Sequence, residues 1–270
     1  MLAALFKPGE WTLWNVLVDK THAFHKDVVN SSEECHMKRL PSSRIRWART
    51  ALGLDDPRLL GLLGLFWLAT AVHILLHLTR RVVDVPRNRL FDLATEGGYG
   101  EQFFQTLTGW CALLLVLIAV RTREWVWLAW ASFVLYLLAD DYLTLHERMG
   151  VWIAEHAPAG LVSDHTGEAL WLLGVGLVML VAVAIAYRFS SADTRRTMLI
   201  VAALFALLAL FGVGVDIIHS LLDELPFSDA LFIALEDGGE IAVMSLIVVH
   251  LVSLAFPERA FLPVETAQPK

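Results

Sequence analysis

An all-α, polytopic membrane protein with six transmembrane helices is predicted by three observations. Hydrophobic residues make up 57% of the 270 and the mean hydropathy is +0.59, well above the soluble range. The charges fall between long apolar runs rather than within them. The runs are continuous instead of alternating, which sets aside a β-barrel.

Windows of about 20 apolar residues, the length that crosses a hydrocarbon core of roughly 30 Å, place helices near 59–79, 101–120, 125–146, 168–187, 197–219 and 231–256. Residues 1–58 form an N-terminal arm. Its apolar start, Leu2 to Phe6, is too short for a signal peptide and is broken at Lys7 and Pro8. Trp11, Leu13, Trp14, Leu17 and Val18 give the arm an aromatic face suited to the membrane interface. The first apolar helix carries His73 and His77 one turn apart, and the second opens on Gly100-Glu101 with Glu101, Gln105 and Thr108 on one stripe. The third begins among the interfacial Trp125, Trp127 and Trp130 and ends at Asp140 and Asp141, with Asp140, Thr144 and Glu147 aligned. The fourth opens on Gly167-Glu168. The fifth loosens at Gly212 and Gly214 and then aligns Asp216, His219 and Asp223. The sixth opens on Glu236, Asp237 and Gly239-Glu240, holds His250 as a core histidine in its far half, and stops before Pro257. Residues 257–270 are a tail.

Counted by alternate connections, Lys and Arg number sixteen on the side of the termini and five on the other. The positive-inside rule therefore predicts both termini in the cytoplasm of a bacterial-type inner membrane. The net charge of −7 gives no basic surface for nucleic acid. Cys35 and Cys111 fall in different environments, so no disulfide framework is expected.

With the termini inside, the helices pair into three hairpins, 59–120, 125–187 and 197–256. Glu101 to Glu168 is 67 residues and Glu168 to Glu240 is 72, a spacing that suits an internal repeat. All the unusual ionisable residues then converge at one outer level. Such groups are costly in a membrane and mark function.

Acids at a helix start are favoured by about 0.3–1 kcal/mol through the macrodipole, which accounts for Glu101 and Glu168. Glu236, Asp237 and Glu240 together repel one another unless a cation or proton intervenes. The sharper expectation is a metal site. His73, His77, Glu101, Glu168, Asp216, His219, Glu236 and Glu240 are its candidate ligands, and Asp140 and Glu147 are candidate proton acceptors. Oxygen-rich shells with a few histidines suit a divalent metal, either zinc with an open position or a di-iron or di-manganese pair. A metal-dependent enzyme acting on a lipid-like substrate, as hydrolase or di-metal oxidoreductase, is the expected function, with membrane lipid as partner. The alternatives are a proton or cation transporter, and a non-catalytic subunit that pairs with other membrane subunits or with its own copies.

Overall fold

Capping explains where the helices begin. Asp56 accepts a hydrogen bond from the Arg58 N–H with Pro57 in the first turn, and Ser163 and Ser191 accept from the amides of Thr166 and Thr194. In the computed structural model, residues 49–158, 162–215, 218–219 and 228–256 are described, all within the unit Trp47–Lys270. The N-terminal arm through residue 48, Asp216, Asp223 and the tail 257–270 lie outside the described residues.

The described residues are all-helical. They form α1 (Pro57–Val83), α2 (Tyr99–Thr122), α3 (Trp125–Leu143), α4 (Leu145–His156), α5 (Asp164–Arg188), α6 (Ala192–Ala209) and α7 (Ser228–Ala255). A 3-10 turn, Arg89–Phe91, stands between α1 and α2, and a π-helical turn, Leu210–Gly214, extends α6. Six segments are long and apolar enough to cross a membrane: α1, α2, α3, α5, α6 with its π turn, and α7. They point to a multi-pass membrane protein.

The single helix expected over 125–146 is two. It stops at Leu143 because Thr144 turns left-handed, with φ 48°, and α4 then runs in a new direction. The polar residues Asp140, Asp141, His146, Glu147 and Arg148 flank the break, but a helix end at the membrane surface carries the same residues, so the sequence window does not separate a continuous helix from a broken one.

Helix α7 is the post of the bundle. Ile241, Met244, Ile247, Val248 and Leu251 on it are at most 2% exposed, and it packs against α1, α2 and α6. The Trp67 indole N–H of α1 donates to the Ala242 carbonyl at 3.1 Å, and Arg121 at the end of α2 donates to the Ala255 carbonyl. Helices α1 and α2 follow one another in sequence but meet only sparsely, because α7 lies against both. The buried face of α2 runs through Leu107, Cys111, Leu115 and Ile118, and that of α6 through Met198, Val201, Leu204 and Phe205. These are the four-residue and three-residue steps of packed helices.

Helix α5 differs. Only Gly167 on it is buried; Val183, Ala186 and Tyr187 rest partly against the core, and most of its apolar length is exposed. It is held by α3 and, at its start, by α4. There Gly167 crosses Gly150 so closely that a Cβ on Gly167 would stand 2.3 Å from the Gly150 carbonyl oxygen. Gly167→Val is therefore expected to destabilise the α4–α5 pair by about 1–3 kcal/mol, the usual cost of overpacking. Hydrogen exchange should show the loss over 145–170, and unchanged protection there would refute it.

Candidate functional site

The site lies at the end of the bundle where α1 and α3 finish and α2, α5 and α7 begin. Two polar arrangements occur there, and they differ in how fully their groups are satisfied.

The first is built on Asp92, in the connection after α1. Its Oδ1 lies 3.0 Å from His77 Nδ1, and its Oδ2 lies 3.5 Å from Arg80 Nε and 3.2 Å from Arg81 Nε. His77 is wholly buried. Its Nε2 donates to the Ala230 carbonyl at 3.2 Å, joining α1 to the start of α7, while the Leu93 N–H approaches its Nδ1 at 3.2 Å. Burial would raise the Asp92 carboxyl. Arg81, His77 and the Ala94 N–H outweigh it and hold the group below the ordinary value of 3.8. Each member is paired, although Arg80 Nε makes only the 3.5 Å ion pair and no hydrogen bond, and the cluster closes the bundle end.

The second is open. Glu96, Glu101, Asp141, Asp237 and Glu240 line a cavity of about 250 Å3 between α2, α3 and α7. Gln105 Nε2 bridges two of these acids, donating to Glu101 at 2.8 Å and to Asp141 at 2.7 Å. Asp141, Glu240 and Phe104 also line a second, larger chamber of about 680 Å3, walled by α2, α3, α5, α6 and α7 and mostly apolar. The acidic cavity and the chamber thus meet at Asp141 and Glu240.

Glu240 owes its position to the π turn. A Cβ on Gly212 would stand 2.0 Å from Glu240 Oε1, so the carboxylate rests against backbone that only glycine leaves bare. π turns inside α-helices frequently occur at functional sites.

On the chamber wall, His146 Nδ1 lies 2.9 Å from Asp140 Oδ2. The Tyr136 hydroxyl donates to Asp140 Oδ1 at 3.1 Å and accepts from the Trp171 indole N–H at 3.0 Å. The left-handed turn at Thr144 makes this possible, because it folds the first turn of α4 back over the end of α3.

Of the residues singled out from sequence, Glu101 and Glu240 share the acidic cavity, and Asp140 lines the adjoining chamber. The others stand elsewhere. His73 donates from Nδ1 to the Ala69 carbonyl and stacks on Phe103. His77 is bound into the Asp92 cluster. Glu147 is exposed, and Glu168 packs beside Gly150 with His165 at 3.5 Å. His219 lies 3.3 Å from Asp229 and stacks on Phe232, and Glu236 is half-buried. Asp216 is outside the described residues. Among the described residues no three His, Cys, Asp or Glu side chains form a group that would hold a metal ion. Asp141, His146 and Gln105 are visible in the sequence as members of the polar helix-end groups without a role of their own, and Tyr136 and Trp171 carry no signal there. The pairing of Asp140 with His146 spans six positions and breaks helical periodicity, so only the turn at Thr144 reveals it.

Two expectations follow. The Asp92 contribution to stability is present above about pH 4 and is lost as pH falls through its lowered value, since protonation removes the charge that Arg81 and His77 favour. Asp92→Asn should flatten that part of the stability curve and cost about 1.5–3 kcal/mol at neutral pH, the worth of hydrogen bonds to a charged group. Thermal unfolding in detergent from pH 3 to 7 measures both. Gly212→Ala should push the Glu240 side chain from its seat, leaving the helices in place but changing the ionisation of the cavity. Infrared titration of the carboxyl bands against Glu240→Gln detects this, and identical titrations of wild type and Gly212→Ala would overturn it.

No curated protein and no solved structure matches the chain. A family model described as "Domain of unknown function (DUF8692)" matches residues 59–254, the helical bundle from the first turn of α1 to the last turn of α7. The chain belongs to that family.

Proposed function

We propose that this chain is an integral membrane enzyme acting on a lipid-like substrate. The hydrocarbon of the substrate occupies the apolar chamber and its polar end reaches the junction at Asp141 and Glu240. The observation that carries this reading is the meeting of an acidic cavity with an apolar chamber of ligand size, beside a histidine already oriented by a carboxylate. Asp140 orients His146 through Nδ1 and is itself oriented by Tyr136 and Trp171, which leaves Nε2 as the proton-accepting atom. His146 takes a proton from water as its oxygen attacks an ester or amide carbon, then returns that proton to the departing oxygen or nitrogen. We place this end of the bundle on the extracytoplasmic side of a bacterial-type inner membrane, with both termini cytoplasmic, on the distribution of Lys and Arg. The three-hairpin repeat belongs to the same reading and rests on the spacing of the Gly-Glu pairs.

A divalent cation is favoured by one further observation. Five carboxylates line the acidic cavity, and no described Lys or Arg lines it. Mutual repulsion of this kind is relieved by a bound cation or by protons. Zinc, or a di-iron or di-manganese pair, would have to draw on Glu101, Asp141, Asp237 and Glu240 after side-chain movement; Asp216 lies outside the described residues.

Incubation of the purified chain with fluorescent ester and amide lipids tests the enzyme reading. His146→Ala and Asp140→Asn should each lower turnover by about 10²–10⁴-fold, the range for general acid–base groups. Full activity in His146→Ala would sink the mechanism. Elemental analysis beside an Asp141→Asn/Glu240→Gln variant decides whether these acids hold a metal: stoichiometric metal in wild type, lost in the variant, would support this second reading, and its absence would leave the acids to an organic cation.

A further inference from the structure

We infer that the chamber is entered sideways, between α5 and α6, by a lipid whose headgroup carries a cationic nitrogen, and that this nitrogen comes to rest against Asp141 and Glu240. The inference deepens the reading of the chamber as a substrate site and rests on it.

Lateral entry follows from how α5 and α6 are arranged. They are consecutive helices joined by a short turn, yet α5 packs chiefly on α3 and α4, and α6 on α7. Between α5 and α6 lies the chamber. Gly176 of α5 and Ala202, Ala206 and Ala209 of α6 line it, and the three alanines are exposed. A Cβ at Gly176 would meet nothing within 4 Å. In a bilayer such a gap between apolar helices faces hydrocarbon, so a lipid chain can enter without its headgroup crossing the membrane.

The chamber wall carries an aromatic reporter. Trp130 on its wall is only 7% exposed, and its indole N–H has no partner among the described residues. That nitrogen is itself sealed from the chamber, so Trp130 serves as a reporter of what enters rather than as a ligand.

Charge selects the headgroup. Asp140, Asp141 and Glu240 are the acids lining the chamber, and Glu96, Glu101 and Asp237 continue them into the adjoining cavity. No described Lys or Arg lines either space, and the nearby Arg80 and Arg81 are held on Asp92. A phosphate or carboxylate headgroup meets three carboxylates there, with His146 as the one basic side chain among the lining residues and that one held on Asp140. An ammonium group meets carboxylates in a poorly solvated setting, where one close opposite charge is worth several kcal/mol.

The test uses three probes with one chain and three head charges: hexadecylamine, hexadecanol and hexadecanoate. Binding to the full chain in neutral-lipid nanodiscs is followed by quenching of Trp130 fluorescence, with Trp130→Phe as the blank. Hexadecylamine should bind at least about tenfold more tightly than hexadecanoate, and Asp141→Asn/Glu240→Gln should remove that preference while leaving hexadecanol unchanged. Gly176→Trp, which has room for its side chain, should weaken all three, and Ala206→Trp from the opposite wall gives a second check. Displacement of hexadecylamine by zinc or magnesium ions at matched ionic strength would show that the acids hold a free cation, and would overturn the headgroup assignment. Equal binding of hexadecanoate and hexadecylamine would also overturn it while leaving the substrate site standing. Saturable binding of none of the probes would remove the substrate site itself.

Discussion

A carboxylate inside a membrane bundle must be held against both repulsion and desolvation, and the placement of Glu240 is the constraint around which the rest of this structure is arranged. Helix α7 carries Glu240 on the most buried segment of the protein. The residues that follow it, Ile241, Met244, Ile247 and Val248, make the core against α1, α2 and α6. The core packing and the acidic cavity therefore share one helix. The π turn of α6 completes the seat, because Gly212 lets the carboxylate approach the backbone where any other side chain would displace it.

The polar groups at this end divide by whether they are already satisfied. Asp92 with His77, Arg80 and Arg81 is a complete charge cluster that joins α1, its connection and the start of α7. Clusters of this kind maintain geometry, since removing one partner leaves another charge unpaired. Around the acidic cavity the described residues offer Gln105 as a bridge between Glu101 and Asp141 and line the space with no base. The satisfied cluster steadies the opening of the unsatisfied one. The Trp171, Tyr136, Asp140 and His146 chain adds a proton-handling group on a wall that is otherwise aromatic and aliphatic.

The pattern of ionisable residues in the sequence does not distinguish these two uses. His73 and His77 are one helical turn apart and looked like a ligand pair. One ring stacks on Phe103 and the other is tied to Asp92, because His77 faces α7 and the connection after α1 while His73 faces α2. Asp140 and Glu147 were grouped by periodicity. Thr144 ends the helix between them, so Asp140 turns to His146 and Glu147 stays in the open. Periodicity predicts shared faces only while a helix continues, and nothing in the residue types at Thr144 marks it as the left-handed residue that ends one.

The sequence by itself determined that the chain is all-helical, that six segments are long enough to cross a membrane, and that acids concentrate near one set of helix ends. Length and hydropathy suffice for that, since backbone groups in hydrocarbon can be satisfied within a helix. Only the tertiary structure decided which acids face one another. Placing α7 between α1 and α2, breaking the chain at Thr144 and inserting a π turn beside Glu240 are choices made by packing between distant segments. They brought Glu101, Asp141, Asp237 and Glu240 to one cavity and opened an apolar chamber beside it.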